Sequence, residues 1–556
     1  MQPFKSLNLK GFLCPWIEKG LSEDIWGLCL TQDSVQAPDK TPGECEMIKS
    51  MNIGWWVERW SQLHPEKAAI IFDGLGISYS ELHRRVNHTA CWLQSMGIQK
   101  GDRVAVMMRN CPEFVEVFLA CARLGAIFVP INFRLTAREL AHIVGNAEPR
   151  IFIFDAQYAE TVGELRSGYD ISPPFLCCLG QDVVIDEMID YLGETGKFCG
   201  QTPLIRETAG PMDPEEPQVI MYTSGTTGLA KGAVLSYRKT FFNSLNADIF
   251  FDLCFDDIML IVMPLFHSGG LFIQASPILY KGGTIVIQAS FDPEMTYRDI
   301  RWHRVTKFLG VPTIYRTLID SGYDQERDLS SLRVSAIGGE KATPELLAHC
   351  RRAGFPVRQI MGQTETSILF WASEDDDVKK PGTVGRPVFH ADVSLMDPKG
   401  RPVKPGEVGE IAVRGAIMMT EYWQDPEKTR ETVRNGWLYT GDLARMDEEG
   451  YFYLVDRARD MYISGGENVY PAEVEAILRE HPDVNDIAVV GISHEIWGEV
   501  GKAFIISEND ADLSIEQLHE YCRGRMAPYK WPREIMLCKD FPRTTLGKVK
   551  KRLLAR

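Results

Sequence analysis

A short segment rich in hydroxyl, glycine and lysine residues lies between two apolar stretches of the chain. It reads MYTSGTTGLAKGAV over 221–234, and its apolar flanks are typical of buried strands. Glycines free backbone N–H groups, hydroxyls donate hydrogen bonds and lysine adds a point charge, so the segment suits a polyphosphate. We predict such a site in the phosphate loop, residues 223–231, formed by Thr223, Ser224, Gly225, Thr226, Thr227, Gly228 and Lys231.

The phosphate loop does not match the P-loop of kinases and GTPases. In that motif a glycine, a lysine and a serine or threonine follow one another. Here Ala230 precedes Lys231 and Gly232 follows it, so the motif fails. Since many Ser- and Gly-rich segments are ordinary turns, the loop needs further motifs before a reaction can be assigned.

Four further motifs follow the phosphate loop along the chain. They are MGQTE at 361–365, YTGD at 439–442, DRARDMYISGGENVYPAEVE at 456–475 and PRTTLGKVKKR at 542–552. With these five motifs in this order, the sequence resembles the adenylate-forming enzymes, and among them the AMP-forming acyl-CoA synthetases. The resemblance extends from about residue 54 to the C-terminus. It implies ATP, Mg²⁺ and CoA as cofactors and co-substrates, and a small-molecule carboxylic acid as the partner.

The resemblance implies that one group of residues converts the acid to an acyl-adenylate as pyrophosphate leaves. The phosphate loop then holds the β- and γ-phosphates and Thr364 the α-phosphate, with Gln363 beside it. Glu365 holds the Mg²⁺ ion, which prefers oxygen ligands. Asp442 accepts hydrogen bonds from both ribose hydroxyls, and Arg457 is a basic partner on the same sugar.

Further residues of this half-reaction lie near the adenine and the carboxylate. By resemblance, the segment GGEK runs along the adenine and the acyl group and contributes Gly338, Gly339 and Glu340, where glycine allows close approach. For Glu340 and Lys341 a simple strand-to-helix turn is an equal interpretation. Lys548 bridges the substrate carboxylate and the α-phosphate, where it stabilises developing charge.

In the second half-reaction the thiol of CoA displaces AMP. The resemblance implies that the C-terminal domain swings about a hinge at Arg459, although the charged stretch alone fits a solvated turn equally well. The swing brings SGGEN at 464–468 to the adenylate, where Gly465 and Gly466 leave room for the pantetheine arm. Tyr529 and Lys530 lie near the region that often contacts the CoA nucleotide.

The segment PLFHSGGL at 264–271 resembles the border of the acyl pocket. His267 stands at that border, and the alternative interpretation of this residue is a buried histidine of the core. Gly269 and Gly270, which follow it, remove side-chain bulk and leave a roomy pocket. Met361 stands where the family usually has an aromatic residue, which makes the wall more flexible and apolar. We therefore expect an apolar acid, with a medium- or long-chain fatty acid first and an aryl or alicyclic acid next.

The elements that position these motifs alternate between strand and helix. A helix is predicted from Pro112 to Gly125, between strands at 104–108 and 126–129, and further strands are predicted at 258–263, 284–287 and 334–337. Strand, helix and strand in succession indicate a parallel sheet. Another helix follows Ser78, where Glu81 completes a capping-box pattern.

The predicted fold class is α/β, with a large N-terminal domain and a small mobile α+β C-terminal domain. Wound sheets form the N-terminal domain, and a small β module begins near residue 397, where short strands alternate with Pro and Gly turns. The predicted boundaries are 1–50 for a loosely ordered extension, 51–458 for the AMP-binding domain and 459–556 for the C-terminal domain.

Composition limits the functional class further. A net charge of −16 argues against nucleic-acid partners, which need a basic surface. The 13 cysteines are scattered without metal-ligand spacing, as expected in a reducing compartment. No apolar run approaches the roughly 20 residues of a transmembrane helix. We expect a soluble cytoplasmic protein, and the sequence leaves a homodimer open.

Two other functions fit parts of this pattern. One is a stand-alone adenylating enzyme that loads a carrier protein in trans or supplies an oxygenation substrate. The other is a catalytically silent nucleotide-binding protein. The presence of Lys231, Glu365, Asp442 and Lys548 argues against a silent protein, because nucleotide binding alone does not need Lys548.

Overall fold

The computed structural model describes most of the chain after residue 50. The described residues are 51–171, 173–180, 188–198, 212–223, 229–322, 328–339, 342–457, 461–507, 512–542, 549 and 551–554. They belong to one compact unit. Outside them lie the predicted extension 1–50 and these predicted site residues: Ser224, Gly225, Thr226, Thr227, Gly228, Glu340, Lys341, Arg459 and Lys548.

The strands of the described residues are numbered in chain order. They are β1 Ala68–Phe72, β2 Leu75–Ser78, β3 Arg103–Met107, β4 Ile127–Pro130, β5 Ile151–Asp155, β6 Phe175–Leu179, β7 Ile189–Asp190, β8 Pro217–Thr223, β9 Lys231–Ser236, β10 Ile258–Ile261, β11 Thr284–Ile287, β12 Lys307–Gly310, β13 Val334–Ile337, β14 Val357–Gln363, β15 Ser367–Trp371, β16 Arg386–Pro387, β17 Asp392–Met396, β18 Val408–Arg414, β19 Glu421–Tyr422, β20 Val433–Arg434, β21 Trp437–Met446, β22 Phe452–Arg457, β23 Tyr462–Ser464, β24 Glu467–Val469, β25 Val484–His494, β26 Gly498–Ser507 and β27 Glu534–Leu537.

The α-helices are numbered in the same way. They are α1 Ile53–Leu63, α2 Tyr79–Ser95, α3 Pro112–Leu124, α4 Ala137–Ala147, α5 Ala159–Tyr169, α6 Tyr191–Gly196, α7 Tyr237–Phe251, α8 Ser276–Tyr280, α9 Pro293–Trp302, α10 Pro312–Asp320, α11 Pro344–Arg352, α12 Asp376–Lys379, α13 Pro426–Thr432, α14 Pro471–Leu478 and α15 Ile515–Cys522. A π-helix at Gly269–Ala275 leads directly into α8.

Two large sheets form the body of the N-terminal domain. One has the order β16-β15-β14-β13-β12-β10-β11-β1-β2 and the other the order β19-β9-β8-β4-β3-β5-β6-β7. Their central strands are parallel, as in the pairs β3 with β4 and β12 with β13. Helices connect these strands, because parallel neighbours need a crossover. The predicted wound α/β body is therefore confirmed.

A smaller sheet and a separate C-terminal domain complete the fold. The sheet β17-β18-β21-β20, with β22 paired to β21, is antiparallel and forms the predicted β module. The C-terminal domain has the sheet β24-β23-β26-β25, with β27 paired to β26, and helices α14 and α15. Its buried core includes Val474, Val489, Ile505 and Leu518.

Local sequence signals predicted both ends of helix α3 correctly, but they predicted the cap of helix α2 only in part. Helix α3 begins at Pro112 and ends before Gly125, which has φ +69° and donates its N–H to the carbonyl of Cys121. Ser78 caps α2 by accepting from the N–H of Glu81. The predicted capping box is only half formed, because the Glu81 carboxylate instead pairs with Arg84 and Arg85.

None of the helices in the described residues combines the length and the apolar composition needed to cross a membrane.

Candidate active site

A cavity of about 1260 Å³ lies where the large and small domains meet. Its wall contains these predicted site residues: Thr223, His267, Gly338, Gly339, Gln363, Thr364, Glu365, Asp442 and Gly466. Three others are direct neighbours of wall residues, since Lys231 pairs with Thr223, Arg457 pairs with Asp442 and Gly465 precedes Gly466. The structure thus brings together residues that are up to 243 positions apart, from Thr223 to Gly466.

The phosphate loop joins two antiparallel strands at the rim of this cavity. Its flanks form β8 and β9, which are buried at Val219, Ile220, Ala233 and Val234, as the sequence predicts. Thr223 and Lys231, the two ends of the loop, are paired with each other. The hydroxyl-rich residues between them lie outside the described residues, but both ends of the loop are fixed by a packed sheet.

Tyr422 connects Lys231 to Glu365. Strand β19 pairs with β9, so that Tyr422 lies opposite Ala233, and the Lys231 Nζ lies 5.9 Å from the centre of the Tyr422 ring. The Tyr422 hydroxyl donates to Glu365 Oε1 at 2.8 Å. One Glu365 oxygen is therefore oriented by a phenol. A positioned carboxylate is a ligand that suits Mg²⁺, and the Lys231 ammonium and the Thr364 hydroxyl are groups that suit phosphate.

A tight hairpin carries Thr364 and Glu365 into the cavity. Strands β14 and β15 pair up to Gln363 and Ser367, which leaves three residues in the turn. The Thr366 N–H donates to the Gln363 carbonyl at 3.1 Å, and Ser367 has φ +59°, which is uncommon for a residue with a side chain. The position of both predicted residues depends on this turn.

Gly362→Ala is expected to disrupt the hairpin and to destabilise the fold by about 2 kcal/mol, within the usual cost of overpacking. A Cβ at this position would lie 1.8 Å from the Ser367 carbonyl oxygen, so the backbone must shift. Chemical denaturation measures the loss in the free energy of unfolding. Gly163→Ala is the control, because its Cβ meets nothing within 4 Å in α5 and alanine favours a helix. Equal stability of the two variants would contradict this description of the hairpin.

Asp442 and the glycines at 338 and 339 line the cavity beyond this hairpin. The Asp442 N–H donates to Thr440 Oγ1 at 3.2 Å, in a bend where Gly441 has φ +80°. A Cβ on Gly338 would lie 2.6 Å from Ile360 Cγ1, so only glycine allows this close approach of strands. The wall here is flat backbone next to a carboxylate, which is a geometry suited to a nucleoside.

His267 binds a residue of the small domain. Its Nε2 lies 2.9 Å from Glu467 Oε2, and the Arg134 guanidinium forms an ion pair with the other Glu467 oxygen. Burial alone would raise the pKa of Glu467, but His267, Arg134 and Lys530 together hold it below its ordinary value of 4.5. The carboxylate therefore stays charged above pH 4.5, and its contribution to stability is lost only as the pH falls through the lowered pKa.

Under the activity that the resemblance implies, Arg134→Met is expected to slow thioester formation roughly tenfold while acyl-adenylate formation is unchanged. The change leaves the buried Glu467 carboxylate short of a charged partner, and such a hydrogen bond contributes about 1.5–3 kcal/mol before solvent screening is discounted. Arg134 is 42% exposed, so the lower end applies. Acyl-CoA formation from supplied acyl-adenylate measures the effect.

Arg138→Met is the matched control for this prediction. Arg138 also crosses between the domains, with its Nη2 2.6 Å from Glu480 Oε1, but the two side chains are 35% and 50% exposed. Exposed pairs contribute little, so a change of less than about twofold is expected. If both variants slow the reaction equally, the buried contact has no special role.

The glycine segment of the small domain approaches the cavity directly. Gly465 and Gly466 have φ +58° and +85°, and a Cβ on Gly466 would lie 3.4 Å from Val311 Cγ2 on the large domain. Val311 also lines the cavity. The small domain therefore presents to the cavity the segment for which the resemblance implies a role in thioester formation.

Lys530 is enclosed between the domains. It is 3% exposed, and its Nζ lies 2.5 Å from Glu139 Oε1 of the large domain and 2.6 Å from Glu473 Oε1 of the small domain. Both carboxylates compensate its charge. This position does not support the interpretation of Lys530 as a contact of the CoA nucleotide, and it indicates a role in joining the domains.

Several residues of the site were not found by sequence reasoning. Tyr422 has no local motif, since only its pairing with β9 brings it to Glu365. Lys239 is fully buried on α7, and its Nζ donates to Ser367 Oγ at 2.7 Å. A signal was present for Lys239, because Lys239, Asn243 and Asn246 form a polar stripe with helical spacing.

Comparisons with known proteins identify similar chains over nearly the same length. A family model described as AMP-binding enzyme matches residues 57–423, and a model described as AMP-binding enzyme C-terminal domain matches residues 473–548. The chain is 36% identical over 505 residues to a feruloyl-CoA synthase of Amycolatopsis sp, which covers 91% of this chain and 98% of that protein.

Two further similarities come from a fatty-acid ligase and from a solved structure. Identity is 31% over 510 residues to the long-chain-fatty-acid–CoA ligase FadD13 of Mycobacterium tuberculosis, covering 90% of this chain and 98% of that protein. A structure of an o-succinylbenzoate CoA synthetase (MenE) double mutant from Bacillus subtilis, bound with a product analogue, superposes with a TM-score of 0.78. It is 29% identical and covers 90% of this chain and 98% of its own.

Proposed function

The chain belongs to the AMP-binding enzyme family and is an AMP-forming acid–thiol ligase, and we propose on that premise that it joins an apolar carboxylic acid to CoA in the cavity between its domains. As a member of this family it uses ATP, Mg²⁺ and CoA. The observation that carries the proposal is that one cavity has Thr364, Glu365 and Asp442 of the large domain and Gly466 of the small domain in its wall.

In the proposed first half-reaction a carboxylate oxygen of the acid bonds to the α-phosphorus, and the bond to pyrophosphate breaks. Thr364 binds the α-phosphate, Asp442 the ribose hydroxyls and Lys548 both reacting groups. Glu365, oriented by Tyr422, would hold the Mg²⁺ ion, which offsets phosphate charge. The ends of the phosphate loop at Thr223 and Lys231 support the same proposal, because they are paired in the sheet and Lys231 lies near the ring of Tyr422, whose hydroxyl donates to Glu365.

In the proposed second half-reaction the sulfur of CoA bonds to the acyl carbon as the bond to AMP breaks, and the thiol proton is released. The Gly465–Gly466 segment forms the passage for the pantetheine arm. Contacts of Glu467 with His267 and Arg134 support this role, since they hold the segment against the cavity. A swing of the small domain about Arg459 then exchanges Lys548 for this segment.

The acyl pocket supports an apolar substrate. The cavity wall includes the apolar or small residues Met263, Gly269, Ile273, Leu309, Ile360, Met361 and Ile368. Apolar walls bind apolar surface because its removal from water is favourable. A medium- or long-chain fatty acid is the first candidate, and FadD13 is a relative named for such acids. An aryl acid is the second, favoured by the similarity to feruloyl-CoA synthase.

A panel of acids tests this proposal. Fatty acids of increasing length and aryl acids are incubated with ATP and Mg²⁺, with and without CoA, while pyrophosphate and acyl-CoA are measured. We expect an apolar acid to give both products when CoA is present. Pyrophosphate release without any CoA thioester would favour the loading of a carrier protein, and no release with any acid would favour a silent nucleotide-binding protein.

The cytoplasm is the proposed location. Free thiols at Cys91, Cys121, Cys350 and Cys522 are buried in the described structure, and burial raises the pKa of Cys121, Cys350 and Cys522. Such cysteines act as small apolar core residues and suit a reducing compartment.

A further inference from the structure

Helix α7 holds the walls of the active site through a row of buried polar side chains. Asn243 donates from Nδ2 to the Phe272 carbonyl at 2.6 Å and accepts from the Ile368 N–H at 3.3 Å. Asn246 Oδ1 accepts from the His390 N–H at 3.1 Å. Lys239 is one turn before Asn243 on the same face. The row therefore joins the helix to separate segments of the large domain.

Lys239 is the residue of this row that bonds Ser367, which directly follows the turn containing Thr364 and Glu365. It is 0% exposed, and its Nζ donates to Ser367 Oγ at 2.7 Å. The Ser268 hydroxyl lies 3.5 Å from the same oxygen, and both serines line the cavity. Burial lowers the pKa of Lys239 to about 7, and Glu365 opposes this shift. Burying a lysine whose acceptor is a neutral hydroxyl costs free energy of desolvation, so a contribution to stability does not explain why a lysine is present here.

Ser367 is the point at which a small displacement would move the phosphate-binding residues. It ends the three-residue turn and has φ +59°, a conformation that costs an L-residue free energy and persists only where its surroundings maintain it. Thr364 and Glu365 lie in that turn, on the cavity wall. Glu365 is held on its other side by Tyr422. The hydrogen bond from Lys239 to Ser367 thus anchors the C-terminal end of the turn.

We propose that Lys239 is a positioning residue of acyl-adenylate formation, which acts through Ser367 to fix the turn that presents Thr364 and Glu365 to Mg²⁺ and the phosphates. The proposal rests on the roles proposed for Thr364 and Glu365. Lys239 itself does not contact the nucleotide. Its effect is geometric, and a displacement of about 1 Å at a reacting group costs up to roughly 100-fold in rate.

The test uses Lys239→Met, Ser367→Ala and the double variant of the full chain. With the best acid from the panel, exchange of pyrophosphate into ATP is expected to fall roughly 10- to 100-fold in each. The double variant is expected to match Ser367→Ala within about twofold, since the two single changes remove the same hydrogen bond. Acyl-CoA formation from supplied acyl-adenylate is expected to change less than about twofold.

Two readouts besides turnover separate positioning from a structural role. Calorimetry is expected to show weaker binding of Mg·ATP to Lys239→Met, by roughly tenfold. The melting temperature of Lys239→Met is expected to stay the same or rise, because methionine fills a similar volume without a buried charge. Lys307→Met is the matched control. Lys307 is a second buried lysine, bonded to the carbonyls of Phe251 and Asp252, and its loss is expected to lower stability without selecting one half-reaction.

The outcomes distinguish this proposal from the proposed function. If wild-type protein exchanges pyrophosphate and Lys239→Met does so at the same rate, the positioning role is wrong. Equal losses in both half-reactions together with a lower melting temperature would also overturn it. If wild-type protein shows no exchange with any acid, the proposed function fails, and the calorimetric comparison with Mg·ATP still decides the role of Lys239.

Discussion

Gly466→Leu is expected to lower acyl-CoA formation by about 100-fold while acyl-adenylate still forms at nearly the wild-type rate. A Cβ at Gly466 would already contact Val311 at 3.4 Å, and the further atoms of leucine must enter the passage between the domains. The φ of +85° adds strain for any residue with a side chain. An obstructed approach of the thiol misplaces a reacting group, which accounts for this magnitude. Chromatography of acyl-CoA, with pyrophosphate release in parallel, measures both steps.

Gly406→Leu is the matched control for this prediction. Gly406 has φ +86°, almost the same as Gly466, but nothing lies within 4 Å of a Cβ placed there. The variant therefore carries the same backbone strain without closing a passage, and we expect acyl-CoA formation within about twofold of wild type. Acyl-CoA formation by Gly466→Leu at the control rate would show that the pantetheine arm does not pass this residue.

Lys548→Ala is expected to lower acyl-adenylate formation by about 10²- to 10³-fold, the usual effect of removing a charge that stabilises a transition state. The role of Lys548 is proposed from its match to the motif PRTTLGK. Thioester formation from supplied acyl-adenylate is expected to remain within a few-fold of wild type, because AMP is already attached to the acid. Exchange of pyrophosphate into ATP measures the first effect.

Lys539→Ala provides the control for a lost lysine in the small domain. Lys539 is exposed on the same domain, so its replacement removes a positive charge without an expected role in the cavity. Both half-reactions should stay within about twofold of wild type. If Lys548→Ala behaves like this control, another residue stabilises the charge that develops between the acid and the α-phosphate.

Local signals predicted the elements that build the large domain. The strands at 284–287 and 334–337 have the predicted bounds, and Pro112 and Gly125 limit α3 as expected. These signals depend on backbone conformation, which neighbouring residues determine. Helix α14 ends at Leu478, because the residues after it form a turn that brings the chain into β25. Strand and helix ends without Pro or Gly were less well determined.

The sequence could not provide contacts that depend on the packing of distant segments. His267 and Glu467 are 200 residues apart, and they meet only because the small domain docks on the large one. Tyr422 reaches Glu365 through a two-residue strand that has no pattern of its own. The motifs thus predicted, by resemblance, part of the cavity wall, including Thr364, Glu365 and Asp442. Groups such as Tyr422, which orient those residues, became visible only in three dimensions.

A single-turnover experiment on wild-type protein, Gly466→Leu and Lys548→Ala tests whether both half-reactions take place in one cavity. Each protein is mixed with ATP, Mg²⁺, CoA and its best acid, quenched at intervals, and both acyl-adenylate and acyl-CoA are measured in each sample. We expect acyl-adenylate to accumulate in Gly466→Leu and to stay absent in Lys548→Ala. If neither variant accumulates acyl-adenylate, or if both do, the result contradicts the proposal that Lys548 and the Gly465–Gly466 segment act in the same cavity in turn.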